Sequence, residues 1–122
     1  MRILEERILK EGQVYPGEVL KVGSFLNQQI DTGLMTEMGK TIAETFKNDG
    51  ITKILTIETS GIALAFAAAQ ALGVPMIFAK KHKSNNLDPV LLSTKVFSYT
   101  HQSTYDVVVS REYIDSSDNI LI

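Results

Sequence analysis

Three short runs in this 122-residue chain carry side chains whose types and spacing could do chemistry. The first, Glu58-Thr59-Ser60-Gly61, lies between the β-branched Lys53-Ile54-Leu55-Thr56-Ile57 and the Ala- and Leu-rich Ile62 to Leu72. That order predicts a strand handing over to a helix through a tight turn. Backbone N–H groups at a helix N-terminus lack intrahelical partners and have the helix dipole behind them, so such a turn suits a phosphate or pyrophosphate. Gly61 would let an anion approach the backbone, and Ser60 would add a hydroxyl donor. The alternative is that Ser60 caps the helix and Gly61 only eases the turn. Glu58 reads either as a partner for ribose hydroxyls or as a solvated carboxylate.

The second run is Lys80-Lys81-His82-Lys83, which holds three of the twelve basic residues. Taken alone it reads as a solvated loop. It follows a predicted second strand, however, and in a βαβ unit the strand ends lie side by side, which brings these lysines near the Ser60-Gly61 turn. The two signals together favour an anion site. The third run is Leu20 to Asp31, LKVGSFLNQQID, where Phe25 and Leu26 stand beside Asn27. An apolar loop of this kind could cover a flat heterocycle, with the Asn27 amide both donating and accepting, or it could be ordinary core.

Composition removes several other chemistries. Cysteine is absent, so disulfides, thiolate nucleophiles and Cys-ligated zinc are excluded together. The only histidines, His82 and His101, have no carboxylate cluster around them, and no metal site is predicted from protein side chains. A net charge of −2 gives no whole-molecule field toward nucleic acid or an anionic membrane. The most apolar run, Gly61 to Ala69, is far shorter than the ~20 residues of a spanning helix. Residues Met1 to Gly12 mix charge with apolar positions and lack a signal-peptide core, which predicts a cytoplasmic protein.

The elements that must hold these runs follow from periodicity. Ile3, Leu4, Ile8 and Leu9 predict a short amphipathic helix ending near Gly12. Val14 to Leu26 reads as a turn at Pro16-Gly17 with a short strand. Leu34, Met35, Met38, Ile42 and Phe46 recur at three- and four-residue steps and predict a helix capped by Asp31 and stopped at Gly50, with the Met35, Met38 and Phe46 stripe as core. The strand Lys53 to Ile57, the helix Ile62 to Leu72 stopped by Gly73, and a strand Val74 to Ala79 form a βαβ unit, with both strands parallel and buried on two faces. Val96, Phe97 and Tyr99, a turn at His101 to Tyr105, and Val107 to Val109 predict an antiparallel hairpin. Asp115 to Asn119 is a polar turn before Ile120-Leu121-Ile122. A strand of about five or six residues is the norm, so this last one predicts the front part of something longer. Residues 1–122 thus read as one partial α/β domain.

The runs VLKVGSFLNQQID, DGITKILTIETSGIA and GVPMIFAKKHKS, in that order, resemble the bacterial xanthine phosphoribosyltransferases of the type I phosphoribosyltransferase fold. The likeness extends from the first helix to Ile122. It implies a Rossmann-like parallel sheet with an antiparallel hairpin flap, and a reaction joining xanthine to the ribose of phosphoribosyl pyrophosphate, with Mg2+ assisting the phosphates. It implies that Leu20 and Asn27 contact the purine from a hood, and that Glu58, Thr59, Ser60 and Gly61 form the pyrophosphate loop, often held by an unusual peptide conformation. It also implies that Lys80 and Lys81 approach the phosphates and that Lys83 to Thr100 belong to a mobile flap.

The resemblance further implies a homodimer and purine salvage. The chain departs from the family at Gln28, commonly His, and at Leu64, commonly Pro. The family's ribose 5-phosphate loop and a base-reading lysine are expected beyond Ile122. Two functions therefore stand: the transferase itself, or a non-catalytic purine-binding or dimerisation fragment.

Overall fold

Leu34 begins a helix because Asp31, in extended conformation, accepts its N–H at 3.0 Å and relieves one of the orphan donors of the first turn. The helix runs over Thr32–Phe46 (α2) and buries Leu34, Met35, Met38, Gly39 and Ala43; Ile42 and Phe46, predicted on the same face, are only half-buried, so Phe46 is not part of the core. In a computed structural model, which describes residues 1–82, 90–98 and 103–122, the chain starts with helix α1 (Arg2–Glu11). Strands β1 (Gln13–Tyr15) and β2 (Val19–Lys21) then form a small antiparallel ribbon. Gly17 at φ +84° supplies its turn. A π-helical turn, Gly23–Asn27, leads from the ribbon to α2.

The remainder builds one mixed sheet. Strand β3 (Lys53–Ile57), helix α3 (Ile62–Leu72) and strand β4 (Met76–His82) form the expected βαβ unit, with Ile54 opposite Met76 and Ile57 opposite Ala79 in parallel register. Strands β5 (Leu91–Ser98) and β6 (Ser103–Ser110) pair antiparallel, and β7 (Ile120–Leu121) lies parallel to β3. The order across the sheet is β5-β6-β4-β3-β7. Gly73, at φ +70°, closes α3 and donates to the Gln70 carbonyl, as the sequence predicts for a glycine after a helix.

Two cores meet across α3. Ile54 packs with Ala65, Ala68 and Ala69, and Leu121 joins them from β7. Phe25, wholly buried, packs with Leu34 and Met38, joined by Leu4, Ile8 and Leu64. Helices α2 and α3 approach closely because Gly39 has no side chain: a Cβ there would stand 2.5 Å from the Ala67 carbonyl carbon.

Several expectations need correction. Helix α2 stops at Phe46, and Gly50 instead serves the following turn at φ +62°. Strand β4 starts at Met76 and runs on to His82; Lys80 and Lys81 lie inside a strand because β6 pairs with them (Lys80 with Val108, Lys81 with Val107). The strands are not buried on two faces. Ile57 and Phe78 each keep 40% of their surface open, and in β3 only Ile54 is fully covered. Ser103, Thr104 and Tyr105 belong to β6 and not to the hairpin turn. Lys83, Tyr99, Thr100 and His101 lie outside the described residues, so only the Leu91–Ser98 part of the expected flap is seen, as an antiparallel strand.

Candidate functional site: the hood and the strand-to-helix loop

Helix α1 and the cap of α2 fix the hood. Arg7 stands between them, its Nη2 pairing with the Asp31 carboxylate at 2.9 Å and its Nε lying 3.1 Å from Glu11. The guanidinium sits over the Phe25 ring, 5.6 Å from the centroid. Leu34 and Met38 pack with the same residue, and the π-helical turn around it leaves Leu26 half-buried and Asn27 exposed. The Leu34 N–H holds the Asp31 carboxyl below its usual range; desolvation opposes it, and the Arg7 charge adds a smaller lowering.

Leu20 and Asn27 line one cavity of about 500 Å³, together with Lys21, Ser24 and Gln28. Its walls are mainly polar side chains able to meet the edge of a flat ligand. Gln28, singled out in the sequence only as a departure, shares this wall; the polar run Asn27-Gln28-Gln29 was the signal that could have found it. Leu20 is exposed on β2. Asn27 also lines a second, mainly apolar cavity, about 570 Å³, with Thr59, Ser60, Met35, Ile62 and Phe66 among others. Asn27 is thus common to the hood and to the strand-to-helix loop.

The loop Glu58–Gly61 is held at each end. The Glu58 N–H donates to the Ala79 carbonyl at 2.9 Å, and the Lys81 N–H donates to Glu58 Oε1 at 2.7 Å. The Glu58–Thr59 peptide is cis. The Ile62 N–H donates to the Thr59 carbonyl at 3.1 Å. Ser60 does not cap the helix: Gly61 occupies that position, with no side-chain hydrogen bond. The Ser60 hydroxyl and the Ser60 and Gly61 N–H groups have no partner among the described residues, the condition an anion site requires.

The structure brings Glu58 to Lys81 but separates the two lysine side chains. Alternation along β4 sends Lys80 to the Phe78 side and Lys81 to the Ala79 side. Lys80 lines a shallow cavity with Phe78, Leu91 and Tyr113. Both lysines are exposed. Among the described residues there is no group of three or more His, Asp or Glu side chains able to hold a metal ion, and no helix is long and apolar enough to cross a membrane.

Comparison with known proteins gives the frame for this geometry. No family model matches the chain. All 122 residues align with curated xanthine phosphoribosyltransferases, at 53% identity with that of Listeria innocua, 50% with that of Clostridium novyi and 52% with that of Bacillus thuringiensis. The chain is similar over its whole length to the bacterial xanthine phosphoribosyltransferases. It spans 64%, 64% and 62% of those three proteins, respectively.

Among solved structures, the adenine phosphoribosyltransferase of Trypanosoma brucei superimposes over 96% of this chain and 52% of its own, with TM-score 0.69 and 19% identity. That of Giardia lamblia does so over 92% and 62%, with TM-score 0.70 and 19% identity. The fold is that of the type I phosphoribosyltransferases, a mixed sheet with its helices, as the sequence motifs imply.

Proposed function

We propose that this chain forms the base-binding and diphosphate-binding part of a xanthine phosphoribosyltransferase, which joins xanthine to the ribose of phosphoribosyl pyrophosphate to give xanthosine monophosphate and pyrophosphate in purine salvage. The observation that carries this reading is the double membership of Asn27, which lines the hood cavity with Leu20 and the loop cavity with Thr59 and Ser60. A base in the first cavity and a diphosphate at the loop would have Asn27 as a common neighbour.

In this reading Leu20 packs on the purine face and the Asn27 amide bonds its polar edge. Glu58, Thr59, Ser60 and Gly61 form the pyrophosphate loop, where the free N–H groups and the Ser60 hydroxyl receive charge that develops on the departing diphosphate. Lys81, whose backbone meets Glu58, adds positive potential from the next strand, whereas Lys80 lines a different cavity. As pyrophosphate leaves, the anomeric carbon becomes cationic, and the hairpin side of the site keeps water away. The family likeness supports an Mg2+ carried on the substrate's phosphate oxygens, a usual mode for this ion. The family likeness also supports a cytoplasmic homodimer.

Incubation of the purified chain with xanthine, phosphoribosyl pyrophosphate and Mg2+ tests the reading, with xanthosine monophosphate as the expected product. No nucleotide above background rejects catalysis by this chain. The 62–64% span of the curated relatives favours a second reading, a fragment that binds purine or pairs with a longer copy without turnover. Calorimetric binding of xanthine in the absence of product would support it.

A further inference from the structure

The parallel ladder between β3 and β4 ends with Ile57 opposite Ala79. Strand β4 continues to His82 after β3 has stopped. A strand edge that has outrun its partner presents N–H groups that take an acceptor from the protein or from water. The Glu58 N–H still reaches the Ala79 carbonyl at 2.9 Å, the last backbone rung between the two segments. The chain then turns away into Thr59, Ser60 and Gly61. One donor on the β4 edge, the Lys81 N–H, is left facing no strand, and Glu58 meets it with its side chain: Oε1 accepts this N–H at 2.7 Å.

We infer that Glu58 is a positioning residue, and not a ligand, for the anion that the loop receives. Its carboxylate adds a side-chain rung to the ladder and fixes loop 58–61 against β4. Because β4 is also paired to β6 through Lys80–Val108 and Lys81–Val107, and β6 to β5, the same bond ties the loop to the hairpin. Backbone and side chain of one residue grip the same strand two residues apart, at Ala79 and Lys81. A carboxylate oxygen committed to β4 is also turned to a donor that lowers its repulsion toward a bound diphosphate. The inference rests on the pyrophosphate-loop reading for what the loop holds; the tie between Glu58 and Lys81 stands apart from it.

Two variants of the chain separate the roles. Glu58→Gln keeps an acceptor oxygen at the same reach and removes the charge, whereas Glu58→Ala removes both. Amide hydrogen exchange at Lys81 reads the tie. Titration with sodium pyrophosphate, with and without Mg2+, followed at the Ser60 and Gly61 amide resonances, reads the loop. Glu58→Gln is expected to retain Lys81 protection and pyrophosphate binding to within about threefold, and Glu58→Ala to lose about tenfold or more in each, the range for a hydrogen bond to a charged group. Unchanged exchange at Ala68 in α3 certifies the fold of both variants.

The inference is overturned if Glu58→Ala leaves Lys81 protection intact. It is equally overturned if Glu58→Gln keeps that protection but loses pyrophosphate binding, since the charge itself would then be the ligand. Absence of any pyrophosphate response in the unsubstituted chain would reject the loop reading. In that case the Lys81 exchange and the Ser60 and Gly61 resonances of the two variants still decide whether Glu58 positions the loop.

Discussion

Gly61 lies so close to Thr56 that a Cβ built on the glycine would fall 2.5 Å from the threonine Oγ1. The glycine is therefore required by the strand behind the loop, whatever the loop binds. Its φ of −77° is open to any residue, so the constraint is contact and not backbone conformation. Gly61→Ala should destabilise the chain by about 1–3 kcal/mol, the usual cost of overpacking, and Thr56→Ala in the same chain should recover most of that loss. Urea unfolding of the two single variants and the double variant checks the coupling; additive effects would reject it.

Gly39 makes a tighter demand. A Cβ there would meet the Ala67 carbonyl carbon at 2.5 Å, its oxygen at 2.6 Å and its Cβ at 2.8 Å. Two of these atoms are backbone, so no truncation at position 67 relieves them. Gly39→Ala should force α2 away from α3 and cost more than Gly61→Ala, about 3 kcal/mol or above. The same denaturant measurement ranks the two, and Ala67→Gly should rescue Gly39→Ala only in small part.

Much of this arrangement was legible in the sequence. The Lys53 to Ile57 strand and the Ile62 to Leu72 helix have the predicted bounds because β-branched run, Gly punctuation and Ala-rich helix all agree locally. Asp31 was legible as a cap for the same reason. The π-helical turn at Gly23–Asn27 was not: Val22, Phe25 and Leu26 stand at i, i+3 and i+4, but the polar Asn27-Gln28-Gln29 cuts the pattern off after little more than one turn, and the turn is set by Phe25 entering a core built by Leu34 and Met38. Lys80 and Lys81 read as loop because charge usually marks solvated segments; here their side chains stay exposed while their backbone pairs with β6. The Glu58–Lys81 bond spans 23 residues and depends on β4 running on past the end of β3, which no local pattern encodes.

Phe25 should be the most sensitive position of the hood. It is 0% exposed and packs against both α2 and α1 residues. Phe25→Ala should cost about 3–5 kcal/mol, measured by thermal or urea unfolding. Arg7→Met keeps much of the stem but loses the ring contact and the Asp31 pair, and both groups are about one-third exposed. Its cost should be smaller, on the order of 1 kcal/mol. An Arg7→Met loss as large as that of Phe25→Ala would mean that the ion pair, and not the ring, holds the hood.

Acid should loosen the two ends of the fold through two aspartates. Asp118 accepts from Lys53 Nζ at 2.7 Å and from the Asp115 N–H at 3.0 Å, joining the start of β3 to the turn before β7. The Lys53 bond first, and the Asp115 N–H second, hold its carboxyl below the ordinary 3.8. Asp31 is lowered in the same direction, chiefly by the Leu34 N–H. A carboxyl whose pKa is lower folded than unfolded binds fewer protons in the folded state, so its stabilisation is fully present above the unfolded value. It is lost as pH falls below about 3.8 and through the folded pKa. Urea midpoints should therefore be flat with respect to these two groups above pH 5 and should drop between about pH 4 and 2. In Asp118→Asn the midpoint at pH 7 should be lower and the drop into acid shallower, since the substituted chain has one fewer proton to take up on unfolding. An acid drop of unchanged depth in Asp118→Asn would show that the Lys53 pair contributes nothing to the pH dependence.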